Sequence, residues 1–189
     1  MMNTKSKLTL GLIIIIIILA GIYFLIPAFD KNPTGLNSEK IIELGKLDNI
    51  TKIEIDSTAQ QTVLEKAGDN WIITTEENQV ANQFLIDNIF QVLIDNPEGT
   101  IISQNPEKAA SFNLTEENSL KLKLFNQDEL VLHLLIGKLN QTYTSTYIKK
   151  ANSNNVLLIA DNFANKLNQP DWKEPPPEPV AEDVPEIIE

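Results

Sequence analysis

The stretch SLKLKLFNQDELVLHLLI, residues 119–136, decides the fold of this chain. Leucine and lysine alternate strictly from Leu120 to Leu124, which is the period of a β-strand with one buried face and one wet face. A polar turn at residues 126–129 follows. The next run, residues 130–136, carries leucine at both parities, which predicts a more central strand covered on both faces. The stretch therefore predicts an antiparallel hairpin at the heart of a sheet.

Similar signals surround this hairpin on both sides. Apolar spacings of three and four residues predict an amphipathic helix of four to five turns over residues 79–95. Short helices are predicted at residues 106–111 and 162–167, the second capped by Asp161. Further strands are predicted at residues 50–55, 62–67, 71–74, 100–103, 145–150 and 155–159. Residues 48–170 are therefore expected to form an α+β domain of antiparallel β-meanders with one long amphipathic helix and short helices.

A long apolar segment precedes this domain. Residues 8–26, LTLGLIIIIIILAGIYFLI, carry no charge, and a helix of that length spans roughly 28 Å, close to a hydrocarbon core of about 30 Å. We predict a single transmembrane helix over residues 8–27 that contacts the lipid bilayer through residues 8–26. A cleaved signal peptide is the alternative, but its apolar core usually runs only about 7 to 15 residues. An uncleaved anchor is favoured.

Charge around the anchor predicts its orientation. Lys5 and Lys7 precede it and every acidic residue follows it, so residues 1–7 are expected in the cytoplasm and the body outside the cell membrane. Residues 28–47 are polar around Pro33 and Gly35 and predict a linker. Residues 171–189, rich in proline and glutamate, predict a disordered tail with a polyproline stretch.

Composition argues against several functions. The chain has 15 basic residues, all lysine, and 26 acidic residues, for a net charge of -11. This balance argues against nucleic acid as a partner, because such binding depends on a positive surface. Cysteine is absent, which excludes disulfides and thiolate chemistry. We expect no metal site and no cofactor.

Few residues are candidates for chemistry. His133 is the single histidine, and it lacks a recognisable nucleophile motif or further metal-ligand histidines, so we interpret it as structural and predict no enzymatic activity. Two alternatives remain open: an envelope hydrolase with a cleft around His133, and a glycan- or peptide-binding module. Aromatic and basic side chains mark the possible ligand or partner surface, namely Tyr143, Tyr147, Trp71 and Lys149.

Eight short stretches follow one another along the domain: ITKIEI at 50–55, LEK at 64–66, GDNWII at 68–73, AN at 81–82, FNL at 112–114, IGK at 136–138, TYIK at 146–149 and PDW at 170–172. Taken in order, they resemble the domain-of-unknown-function 4340 family over about residues 48–173. The family usually has glycine where this chain has Asn113, and asparagine is the residue that best replaces glycine at positive φ. It also tends to carry arginine near Lys149, which puts an anion contact there in doubt.

The resemblance implies a membrane-anchored extracytoplasmic domain without known catalysis. Members of that family are similar to auxiliary components of gliding-motility-type ABC transporters. We therefore expect a non-catalytic accessory or scaffold protein with an integral-membrane protein partner. Its folded domain is expected to dock on that partner or on an envelope substrate.

Overall fold

A computed structural model describes residues 37–57 and 60–176. The predicted cytoplasmic segment, the transmembrane helix at residues 8–27 and residues 177–189 of the tail lie outside this range. Within the described ranges, no helix is both long and apolar enough to cross a membrane.

Ten strands form one antiparallel sheet in the order β1-β6-β10-β9-β8-β7-β2-β3-β4-β5. The expected antiparallel α+β fold is thus confirmed for the described domain. The strands are β1 (Ser38–Lys40), β2 (Lys52–Asp56), β3 (Gln61–Ala67), β4 (Asn70–Ile73), β5 (Gln79–Val80), β6 (Glu98–Ser103), β7 (Leu120–Asn126), β8 (Glu129–Leu139), β9 (Thr146–Lys150) and β10 (Val156–Ile159).

The hairpin predicted from residues 119–136 is β7 and β8, and it lies near the middle of the sheet. Leu122 and Leu124 are fully buried, while the intervening lysines lie on the opposite face. On β8, the adjacent Leu134 and Leu135 point to opposite faces and both are buried, so the predicted double coverage is confirmed. Strand β2 pairs with β7 along its whole length, which joins the two meanders into one sheet.

Two helices cover one face of the sheet. Helix α1 (Gln83–Asp95) begins later than predicted, because residues 79–80 pair with β4 as strand β5. The side chain of Asn82 caps it by accepting a hydrogen bond from Phe84 N at 3.1 Å. Helix α2 is shorter and spans Phe163–Leu167. The core between helices and sheet includes Ile53, Leu64, Ile86, Ile89, Leu134, Ile148 and Phe163.

The other face is open except over strands β8 to β10, where a 3-10 helix (Pro106–Phe112) packs on it. Asn113 ends this helix at φ 59°, in the left-handed region. Asn113 therefore adopts the left-handed conformation that asparagine tolerates best among the residues other than glycine, as expected from the sequence. Leu135 and Tyr147 are among the residues packed beneath the 3-10 helix.

The boundaries of the fold differ from the predicted ones. The predicted linker, residues 28–47, contains β1, a 3-10 helix at Leu44–Asn49, and the buried Ile41 and Ile42. At the other end, Trp172 lies within the predicted tail, yet it is only 3% exposed. Local polarity predicted both segments to be unstructured, but a few large apolar side chains fix them to the core.

The predicted cap of α2 also differs. Asp161 does not cap the helix; its carboxylate pairs with Lys166 Nζ at 2.8 Å. Asn162 precedes the helix and makes no side-chain cap bond. The capping group is instead Thr146 on β9, whose hydroxyl accepts from Phe163 N. A pattern of neighbouring residues does not reveal a cap that comes from a distant strand.

Candidate functional site

The structure does not bring the predicted surface residues together. Trp71 lies on β4 in the helix-covered core, 5% exposed, with its ring centroid 6.1 Å from that of Phe90. Pairing through the sheet puts Tyr147 and Lys149 on the opposite face, since their strand neighbour Ile148 faces the core. Trp71 therefore packs in the core and shares no surface with Tyr147.

The two predicted tyrosines differ in their surroundings. Tyr147 stacks on Phe112 with ring centroids 4.5 Å apart, so its face is occupied by the 3-10 helix. Tyr143 lies in the turn between β8 and β9 at φ 59° and is 71% exposed. Lys149 is half-buried opposite Leu135 of β8. Among the four residues predicted to mark the surface, Tyr143 alone is largely exposed.

His133 is partly buried on the same face of β8 as Leu135, directly across from Lys123 of β7. Partial burial lowers the pKa of His133, and the positive charge of Lys123 lowers it further. Its Nε2 is buried and has no hydrogen-bond partner in the described domain. Both effects favour the neutral imidazole, and its cross-strand neighbour on β7 is a lysine rather than a carboxylate.

A chain of charges runs beside His133 across β2 and β7. Lys123 Nζ lies 3.2 Å from Asp56 Oδ2 and 3.4 Å from Glu54 Oε2, and Lys52 Nζ lies 3.1 Å from Glu54 Oε1. Partial burial acts to lower the pKa of Lys123, but the hydrogen bond and charge of Asp56 outweigh it and raise this pKa. These groups neutralise one another and have the character of a surface ion network.

The most unusual feature of the sheet is the start of β8. Strand β9 ends at Lys150, opposite Leu134, and its last contact is Ala151 N donating to His133 O at 3.0 Å. Residues 129–132 of β8 therefore have a strand neighbour on the β7 side only. We call residues 129–132 the β8 edge.

A cavity of about 520 Å³ lies at this edge, where β9 would continue if it were longer. Its lining is Ile41, residues 130–133 of β8 and residues 150–152 after β9. Leu130 is 49% exposed, whereas Leu132 and Ile41 are buried at the back. His133, Lys150 and Asn152 complete the lining, so the cavity is of mixed character. We call its aliphatic part, formed by Ile41, Leu130 and Leu132, the apolar recess; it lies beside the incomplete strand ladder.

One wall of the recess is fixed by a cluster around Glu39 of β1. Its carboxylate accepts from Lys150 Nζ at 2.7 Å and from Asn155 Nδ2 at 2.6 Å. Burial alone would raise the pKa of Glu39, but these bonds to Lys150 and Asn155 lower it overall. Lys150 also donates to Lys40 O at 2.8 Å. The cluster holds the chain before Ile41 against the end of β9.

The arrangement offers the means of binding an extended chain. Across the described ranges, no group of three histidine or acidic side chains is placed to hold a metal ion. An incomplete ladder with an apolar recess offers main-chain hydrogen bonds and aliphatic contacts, which are means of recognition. One feature of the sequence indicates this site: β8 is a long apolar run, whereas its partner around TYIKK is short. The sequence alone does not show where β9 stops along β8, because that depends on the pairing register of the two strands.

Fold and site together define an antiparallel sheet domain in which the first residues of the central strand β8 have a strand neighbour on one side only. The family model described as "Domain of unknown function (DUF4340)" matches residues 71–182, and the chain belongs to this family. The match begins at β4, so β1 to β3 lie before it. Neither the search of curated proteins nor the search of solved structures finds a match.

Proposed function

We propose that this protein is a non-catalytic accessory subunit of an ABC-type transport or envelope complex. Residues 8–26 anchor it as a single-pass protein of the cell membrane, and the folded domain lies outside the cytoplasm. The domain docks on an integral-membrane partner. The observation that carries this proposal is the β8 edge, where an incomplete strand ladder and an apolar recess are presented to solvent.

The surroundings of His133 support a binding role over the hydrolase alternative. A hydrolytic histidine needs a carboxylate or nucleophile within hydrogen-bond reach. Here the imidazole faces Lys123 across the strands, and its Nε2 has no partner in the described domain. An alanine substitution at His133 that abolished a measurable hydrolytic activity would reverse this assignment.

The anchor and its orientation are tested together. In intact spheroplasts, added protease is expected to digest the domain while residues 1–7 remain protected. The matched control is the same preparation after detergent lysis, where both are cleaved. Protection of the domain in intact spheroplasts contradicts the proposed location.

The docking role is tested by co-purification of the full chain from native membranes. Recovery of a permease or an ATPase subunit in stable ratio to the full chain is the expected result. A solitary monomer, recovered under mild detergent in which other complexes survive, contradicts the proposed function.

A further inference from the structure

The β8 edge has main-chain groups on its β9 side that pair with no strand among the described residues. Beyond Ala151 the β9 side of β8 has no strand among the described residues, so residues 129–132 form a short open edge. An open edge is a template for an added strand, whose main-chain groups provide affinity and whose alternate side chains provide specificity.

We propose that the β8 edge accepts an extended segment of the partner protein, which lies in line with β9 and completes the ladder of β8. This inference rests on the proposed function, because it names where and how the docking partner is bound. The cavity beside the edge then receives one aliphatic side chain of that segment, packed between Leu130 and Ile41.

A bulge limits how far the added strand can pair. Leu132 lies opposite Leu124 and Leu130 lies opposite Phe125, so Val131 is an extra residue in β8. Bulges interrupt the regular ladder and protect edges against indiscriminate pairing. The occupant is therefore a short segment, not an open-ended sheet.

Charge indicates the composition of that segment. The turn from β7 to β8 ends with Asp128 and Glu129, and neither makes an ion pair within the described domain. A basic residue of the occupant, following its aliphatic residue toward the turn, would meet these carboxylates. The chain's own residues 177–189 contain five acids and no lysine, so they match this site poorly.

The test uses the full chain in native membranes and measures the ratio of recovered membrane partner to bait. Leu130→Asp introduces a charge into the apolar recess, and Asp128→Lys reverses the charge at the turn. Ile102→Asp is the control for the first, since Ile102 is an exposed strand isoleucine, 42% exposed, on β6. Asp69→Lys is the control for the second, since Asp69 lies in the corresponding turn between β3 and β4.

We expect Leu130→Asp to lower the ratio at least about tenfold, a loss typical of a central interface residue. Asp128→Lys is expected to lower it severalfold, and both controls to keep the wild-type ratio. Thermal melting of each purified variant establishes that it is folded. A photo-crosslinking residue at position 130 is expected to react with an extended segment of the partner that contains a basic residue.

Three outcomes overturn the inference in distinguishable ways. A wild-type ratio for Leu130→Asp would show that the β8 edge is not the docking site, while the proposed accessory role would stand. A crosslink from position 130 to a second copy, or to residues 177–189 of the same chain, replaces the partner by another occupant. A wild-type chain that recovers no membrane partner overturns the proposed function and this inference with it.

Discussion

Thr146 on strand β9 caps helix α2, which begins at Phe163: its Oγ1 lies 2.9 Å from Phe163 N. The same hydroxyl donates to Asp161 O at 2.6 Å. Thr146 is fully buried, so one hydroxyl satisfies a donor and an acceptor that water does not reach. Strand and helix are therefore fixed to each other by a single side chain.

Replacing Thr146 by valine is expected to lower the free energy of unfolding by about 1–2 kcal/mol. The substitution removes the partner of the buried N–H of Phe163 and of the partly buried carbonyl of Asp161. Urea unfolding followed by circular dichroism measures the change. Thr100→Val is the matched control, since Thr100 is a half-buried strand threonine and is expected to change little. An equal loss in both variants would mean that the cap adds nothing.

Gly137 on β8 is expected to reject any side chain. A Cβ at this position would overlap the carbonyl oxygen of Phe112 and lie 3.0 Å from the side chain of Leu114. Gly137→Ala should therefore push the 3-10 helix away and lower the free energy of unfolding by about 1–3 kcal/mol. Gly45→Ala is the control, because nothing lies within 4 Å of its Cβ position. Denaturant titration of both variants checks the contrast.

His133 is expected to make the domain sensitive to mild acid. Burial and Lys123, with a smaller contribution from Lys121, lower its pKa in the folded state, against opposing contributions from Glu116 and Asp56. The unfolded chain therefore binds the proton more readily, so this contribution to stability is present above the ordinary histidine pKa of about 6.5 and is lost as the pH falls through the folded pKa.

The measurement compares wild type with His133→Gln by urea unfolding at about pH 8 and about pH 5, above the range where most carboxylates titrate. Wild type is expected to lose more stability than the variant between these two values. Glu39, whose pKa is also lowered, loses its contribution only at lower pH and is common to both proteins. An identical pH dependence in the two would show that His133 titrates normally.

The observed boundaries predict which fragment folds. A fragment of residues 37–176 is expected to unfold cooperatively, whereas residues 48–170 lose Ile41, Ile42, Leu47 and Trp172, all buried. Each such side chain stabilises by about 1.5–3 kcal/mol, and the sum is comparable with a total stability of about 5–15 kcal/mol. Dispersed NMR spectra for the longer fragment and collapsed spectra for the shorter one are expected. Equal dispersion in both contradicts the boundary.

Periodicity predicted most of the sheet because its strands are amphipathic in the ordinary way. Leu120, Leu122 and Leu124 alternate with lysines, and β7 is found where they are. Helix α1 was predicted too long because Val80 fits a helical spacing, whereas tertiary pairing with Ile72 makes it a strand residue. Local pattern and sheet pairing compete at such positions, and pairing prevails.

The candidate site could not be predicted from local periodicity, because it depends on how distant strands pair. Tyr143, Tyr147, Trp71 and Lys149 were chosen by side-chain chemistry, but the two faces of the sheet separate Trp71 from the others. The β8 edge depends on where β9 stops against Leu134, which is a matter of register. Thr146 and Gly137 likewise act across distances in sequence that no local window covers.

The order of the strands also determines how this domain responds to pulling. The described chain enters at β1, held to β6 by three residue pairs, and leaves beside β5, held by Asn82 N to Trp172 O at 2.7 Å and Glu174 N to Val80 O at 3.0 Å. These are the two outer borders of the sheet. Tension applied to both ends therefore acts first on these short border contacts. We expect the borders to detach under load before the pairing of β7 with β8, which joins seven residue pairs, is disturbed.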